Sequence, residues 1–167
     1  MLKWRKRFLR LAREVASWSK DPSTKVGCVV VDPKTKKIIS LSYNGFPRNH
    51  PDDEELYKDR QYKLDNIIHA EMNSVIGNDV NGMDLYVWPF FCCSNCAKHV
   101  VQSGIKMVCS SNLTPERWID DLNKSKSIFE TSEVEYIIFK DKFLDMSEDE
   151  IEIEVIVDEG YIKPASW

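Results

Sequence analysis

The sequence predicts a three-layer α/β/α domain built on a five-stranded mixed sheet. Three observations carry this. The apolar pattern switches between helical and strand periods in the order α-β-β-α-β-α-β-α-β. In the second half strands and helices alternate, which implies parallel strands with helices on the sheet faces. The first two strands are joined by a short turn and should run antiparallel. The chain of 167 residues is long enough for one domain that buries its own core.

The first helix rests on Trp4, Phe8, Leu11, Val15 and Trp18, which fall on one helical face. This basic, apolar start contains Glu14 and lacks a clean apolar stretch, so it reads as a packed helix rather than a targeting segment. Residues 19–24, Ser-Lys-Asp-Pro-Ser-Thr, form a loop by composition. Lys25 to Val31 is a nearly continuous β-branched run and reads as a buried strand. Asp32-Pro33-Lys34-Thr35 makes the turn, and Lys36 to Tyr43 returns as the second strand. Asn44-Gly45-Phe46-Pro47 breaks it. Residues 48–65 are polar and read as a long loop, with a helical turn over Glu54 to Tyr62.

A helix over 69–77 follows, then a strand from Met83 to Trp88. Ser94 to Ser103 is a helix stopped by Gly104, and Ile105 to Ser110 is a strand. Thr114-Pro115-Glu116 is a helix start, with a capping threonine, Pro at the first helical position and an acidic first turn. That helix should run to about Phe129, with the fifth strand over Val134 to Phe139. Residues 1–140 are thus read as the domain, and 141–167 as an acidic C-terminal extension. From Asp145 to Glu159 the extension carries eight acids and no base. Glu150 to Val155 alternates like an edge strand, added to this sheet or to a neighbouring subunit; an acidic disordered tail is the alternative.

A net charge of −4 and an apolar content of 43% fit an ordinary globular chain and argue against a protein that grips long nucleic acids. One mononucleotide remains compatible, since it needs only a local cation cluster. No apolar stretch approaches a membrane span. The five cysteines, Cys28, Cys92, Cys93, Cys96 and Cys109, are odd in number and follow no secretory signal. They point to a reducing compartment, the cytoplasm (or host cytoplasm for a viral chain), and to a metal site rather than disulfides. Cys28 and Cys109 lie in apolar runs, where a free thiol behaves as a small hydrophobe.

Two short motifs carry chemistry: His69-Ala70-Glu71 and Cys93-Ser94-Asn95-Cys96. Each sits at a predicted helix start, and one strand separates them. H-x-E followed by P-C-x-x-C is the established signature of zinc deaminases. His69, Cys93 and Cys96 supply three ligands and leave a fourth position for water. Backbone N–H groups at a helix start stabilise thiolates. Zinc lowers the pKa of a bound water from about 15.7 toward 7. Glu71, two residues from a ligand, is suited to carry protons without binding metal. A closed structural site with Cys92 as fourth ligand, and metal-free packing of the cysteines, are the alternatives.

With these motifs the chain resembles the deoxycytidylate (dCMP) deaminases, within the cytidine deaminase-like superfamily. The likeness extends to residues 19–27, to Tyr43-Asn44-Gly45-Phe46-Pro47, to Asp59-Arg60 and Lys63, and to Gln102-Ser103-Gly104-Ile105 and Glu116-Arg117-Trp118. It runs from about residue 5 to 139. It implies a cytidine deaminase-like fold and a homo-oligomer, commonly a hexamer. It also implies zinc-dependent hydrolysis of dCMP to dUMP and ammonia, a reaction that feeds thymidylate synthesis. One catalytic Zn²⁺ per subunit is expected, held by His69, Cys93 and Cys96 with Glu71 as proton carrier. Where the family has Pro before the first zinc cysteine, this chain has Cys92; spacing assigns the ligand to Cys93, since only it forms C-x-x-C with Cys96.

Asn44 and Ala70 are expected at the substrate, Asn44 on the sugar or base edge; a turn Asn before Gly45 is the bland reading. Ser19, Lys20, Ser23, Thr24 and Lys25 form a donor-rich loop near which the phosphate is expected, with Lys20 as its leading cation, against the alternative of a solvated loop. Arg48, Arg60 and Lys63 are candidates for a dCTP or dTTP effector site, or else a solvated face. Tyr136 reads as core rather than a base contact, and His99 as structural. Two other functions compete: deamination of another cytosine nucleoside or nucleotide or of transfer-RNA adenosine, and non-catalytic nucleotide binding. The acidic balance argues against transfer RNA, and Glu71 against a pure binder.

Overall fold

The first helix, α1 (Leu2–Ala16), buries Phe8, Leu9, Ala12, Val15 and Ala16. This face differs from the expected one. Trp4 and Trp18 are 41% and 51% exposed, because the helix ends before Trp18 and the small residues Ala12 and Ala16 meet the sheet instead. Gly27 explains the close fit: a Cβ there would lie 2.1 Å from the Ala12 carbonyl oxygen. The structure, a computed structural model, describes residues 1–147 and 155–160.

The sheet contains β1 (Gly27–Val31), β2 (Ile38–Tyr43), β3 (Asp84–Trp88), β4 (Met107–Ser111), β5 (Glu135–Phe139) and β6 (Ile156–Gly160), in the order β2-β1-β3-β4-β5-β6. β1 is antiparallel to β2 and β3, β3-β4-β5 are parallel, and β6 is antiparallel to β5. The mixed sheet is therefore as expected, with six strands rather than five. The sixth comes from the acidic extension, with Ile137 opposite Glu159. The alternating segment Glu150–Glu154 lies outside the described residues.

One apolar layer packs α1 against Val29, Tyr86, Cys109, Ile137 and Phe139. On the opposite face lie α4 (Ala70–Val75), α5 (Ser94–Gln102) and α6 (Ile119–Thr131), over Cys28, Val30, Leu85, Val87 and Val108. The three-layer arrangement follows from these two cores. Burial pushes the Cys109 thiol up to about 12, against the opposing pull of Arg5, and raises the Cys28 thiol as well. Both behave as buried hydrophobes.

Three segments differ from expectation. The long loop of 48–65 contains two short helices, α2 (Glu54–Lys58) and α3 (Arg60–Asn66). Asp53 caps the first by accepting from the Glu55 N–H, and Asp59 caps the second by accepting from the Tyr62 N–H. Phe46 stacks on Tyr57 at 4.2 Å, tying this segment to the end of β2. The second strand starts at Ile38 rather than Lys36, because Lys36 has a φ of 63° in the turn. Thr114 does not cap the helix after β4. That helix opens as a 3-10 turn, Glu116–Trp118, with Pro115 at its cap position.

Candidate active site

β1 and β3 run antiparallel, so the start of β1 (Gly27) lies opposite the end of β3 (Trp88). The helices after this edge begin at the two motifs. His69 is the N-cap residue of α4, and Cys93 is the N-cap residue of α5. A reciprocal backbone pair holds His69 in place: Gly45 N–H donates to Ile68 O at 3.1 Å, and Ile68 N–H donates to Gly45 O at 2.8 Å. The Asn44-Gly45 break after β2 is thus bonded to the residue preceding His69.

His69 Nδ1 lies 3.4 Å from Cys93 Sγ and 3.4 Å from Cys96 Sγ. All three atoms are within 4.8 Å of one another. A tetrahedral zinc with bonds of about 2.3 Å to sulfur and 2.0 Å to nitrogen separates such atoms by about 3.5 Å, so the donor set fits the ion. Hydrogen bonds from the Cys96 thiol, from His69 and from the Cys96 N–H lower the Cys93 thiol to about 4. The Cys93 thiolate in turn raises His69 to about 9. It raises the Cys96 thiol as well, since two thiolates this close need a cation between them.

Glu71 is 4% exposed and lines the same cavity as His69 and Cys93. Burial raises its carboxyl, against the opposing pull of His69 and a hydrogen bond from Cys92. Cys92 is fully buried, and its thiol is pushed well up by burial and by Glu71. It stands outside the three-atom group and touches the carboxylate instead. Asp121 on α6 accepts from the Ser94 N–H at 2.9 Å and from the Ser94 hydroxyl, fastening the first turn of α5.

The cavity measures about 380 Å³, a size suited to a small ligand. Asn44 and Thr24 line it, as do Arg60 and Lys63. Asn44 is held by its surroundings: its Oδ1 accepts from the Val26 N–H at 2.8 Å, and its Nδ2 donates to Thr24 O at 2.9 Å. Lys63 donates to Asp21 at 3.0 Å and to Ser23. Burial acts to raise the Asp21 carboxyl, but the Ser23 and Thr24 N–H groups and Lys63 bring it below its ordinary value.

Other expected residues lie elsewhere. Lys20 pairs with Asp52 at 2.7 Å and lines a neighbouring cavity together with Ser19. Ser19 is buried and donates to Asn44 O at 2.9 Å. Ala70 is buried under Ser42, which donates to its carbonyl at 2.8 Å. Arg48 is exposed on the segment after β2. Tyr136 is a core residue, donating to Glu130 at 2.9 Å, and His99 bonds Asn95 O within its own helix. Phe90, Arg117, Trp118 and Asp121 line the cavity without having been marked as site residues in the sequence. The one signal for Arg117 and Trp118 was the Glu116-Arg117-Trp118 resemblance.

An imidazole and two sulfurs beside a buried carboxylate, at one edge of an α/β/α sheet, are the equipment of a metal-assisted hydrolase. Residues 2–111 match the family model described as the cytidine and deoxycytidylate deaminase zinc-binding region. The chain belongs to that family. It is 37% identical over 138 residues to an uncharacterized deaminase in the luxG 3' region of Aliivibrio fischeri, covering 80% of this chain and 91% of that protein. It is 41% identical over 114 residues to a probable deoxycytidylate deaminase of Caenorhabditis elegans, and 36% identical over 115 residues to the human deoxycytidylate deaminase. These matches cover 64% of this chain and only 56% and 64% of those two relatives. The fold is shared with the dCMP deaminase of cyanophage S-TIM5, solved with dCMP and dUMP. The TM-score is 0.61 at 21% identity, over 80% of this chain and 94% of that one. No described helix is long and apolar enough to cross a membrane.

Proposed function

We propose that this protein hydrolyses dCMP to dUMP and ammonia, using one zinc per subunit. The observation that carries the reading is the buried Glu71 in one cavity with His69 and Cys93. Zinc, when bound by His69, Cys93 and Cys96, supplies an acidified water at neutral pH. Glu71 accepts a proton from the attacking water and returns it to N3 of the cytosine ring as the C4–O bond forms. It then carries the remaining proton to the amino group as the C4–N bond breaks and ammonia leaves. Its buried carboxyl, raised above its ordinary value by burial, suits a group that must both take and give a proton. Asn44, fixed by Val26 and Thr24, presents a rigid wall to the sugar or base.

The dUMP formed is the precursor for thymidylate, and the chemistry suits a cytoplasmic enzyme of pyrimidine nucleotide synthesis. Homo-oligomerisation and control by dCTP or dTTP are expectations of the family resemblance. Because Arg60 and Lys63 line the metal cavity, Arg48 is the effector candidate that stands apart from it.

A substrate panel tests the assignment. Zinc-loaded protein should release ammonia from dCMP faster than from cytidine, dCTP or an RNA hairpin. Absence of turnover on all four with zinc bound removes the enzyme reading, and preference for another member reassigns the substrate.

A further inference from the structure

We propose that Arg60 and Arg117 form a phosphate subsite in the metal cavity and read the monoester dianion of the nucleotide. The inference rests on the dCMP reading and deepens it. The cavity needs a cation to hold a phosphate, and the obvious lysines are committed elsewhere. Lys20 faces the neighbouring cavity and is paired with Asp52. Lys63 lines the metal cavity, but its ammonium is buried against Asp21, with side-chain exposures of 10% and 3%. That ion pair closes the wall of the substrate loop and leaves no net charge for a ligand.

Arg60 and Arg117 are the other cations on the cavity lining. Neither forms an ion pair among the described residues. The cavity's carboxylates are already engaged: Asp21 by Lys63, Asp121 by Ser94, and Glu71 by Cys92 beside the metal ligands. Arg117 lies over the Trp118 ring, 4.9 Å from its centroid, and Trp118 stands edge-on to Phe90 at 4.8 Å. The stack orients the guanidinium before any ligand arrives. A planar fork so held suits bidentate recognition of phosphate oxygens. Two arginines match the charge of a monophosphate near −2. They come from α3 and from the 3-10 turn before α6, neither of which carries a metal motif.

The test is calorimetric titration of zinc-loaded protein with dCMP and with deoxycytidine, in a Glu71→Gln background that prevents turnover. Removing a hydrogen bond to a charged group implies a loss on the order of 10- to 100-fold in dCMP affinity for Arg60→Ala and for Arg117→Ala. Deoxycytidine affinity should move by much less, and Arg→Lys variants should recover part of the loss. Equal loss of both ligands, or dCMP affinity unchanged in both alanine variants, overturns the phosphate subsite. Arginine-dependent binding of dCMP together with absent turnover by the wild type leaves the subsite standing and removes the deaminase reading instead.

Discussion

Cys92 and Cys93 are adjacent thiols with opposite surroundings. Cys93 lies 3.4 Å from His69 Nδ1 and is held toward its thiolate; Cys92 is buried, kept protonated and turned to Glu71. The two should therefore separate in a metal assay. Cys93→Ser should lose zinc from the purified protein, whereas Cys92→Pro should keep it, as read by metal analysis; the reverse pattern would make Cys92 the ligand. Glu71 should separate metal from chemistry in the same way. Glu71→Gln is expected to keep zinc and lose turnover by roughly 10²- to 10⁴-fold, measured as ammonia release. At this scale the sequence was most informative about the ligands. The spacing of H-x-E and C-x-x-C survives any folding detail, because each motif opens a helix. Lys20 shows the opposite case. A donor-rich loop reads the same whether its lysine enters the cavity or pairs with Asp52, and only the packing of residues 46–62 decides.

At the level of elements, β3 carries a carboxylate at its first position. Asp84 sits between Val31 and Met107 in the sheet, and burial pushes it up to about 6, against the pull of Arg5 and Lys36. The unfolded value is near 3.9. Between those values the native state binds more protons than the unfolded one, so stability falls as pH rises through that window. Asp84→Asn should raise the melting temperature at pH 7, with the advantage over wild type shrinking as pH falls from about 6 to 4. An unchanged or lowered melting temperature at pH 7 would contradict that assignment. Elements were legible where a period ran uninterrupted: β1, β3 and β5 lie within their expected ranges, and β4 passes its own by one residue, Ser111. They were only partly legible where caps act alone. The single helical turn expected over Glu54 to Tyr62 is two short helices, α2 and α3, each started by an Asp cap in a segment without apolar periodicity. The buried face of α1 departs from the pattern of its large aromatics because Gly27 admits the small Ala12 and Ala16 close against the sheet.

Over the whole molecule, alternation of strands and helices was enough to foresee three layers and a mixed sheet. The acidic extension does add an edge strand to this sheet, but the described one is Ile156–Gly160, just after the segment whose alternation suggested it. The site is a product of this topology. Antiparallel β1 brings Thr24, Val26 and Asn44 to the edge where β3 ends, and the helices after that edge begin at the two motifs that hold the candidate ligands His69, Cys93 and Cys96. In the proposed reaction this edge adds water to C4 of cytosine. Mass spectrometry of dUMP formed from dCMP in ¹⁸O-enriched water tests it most directly. The zinc-loaded protein should form dUMP carrying one solvent oxygen. Failure to form dUMP, or dUMP without the label under conditions where exchange is excluded, would contradict it.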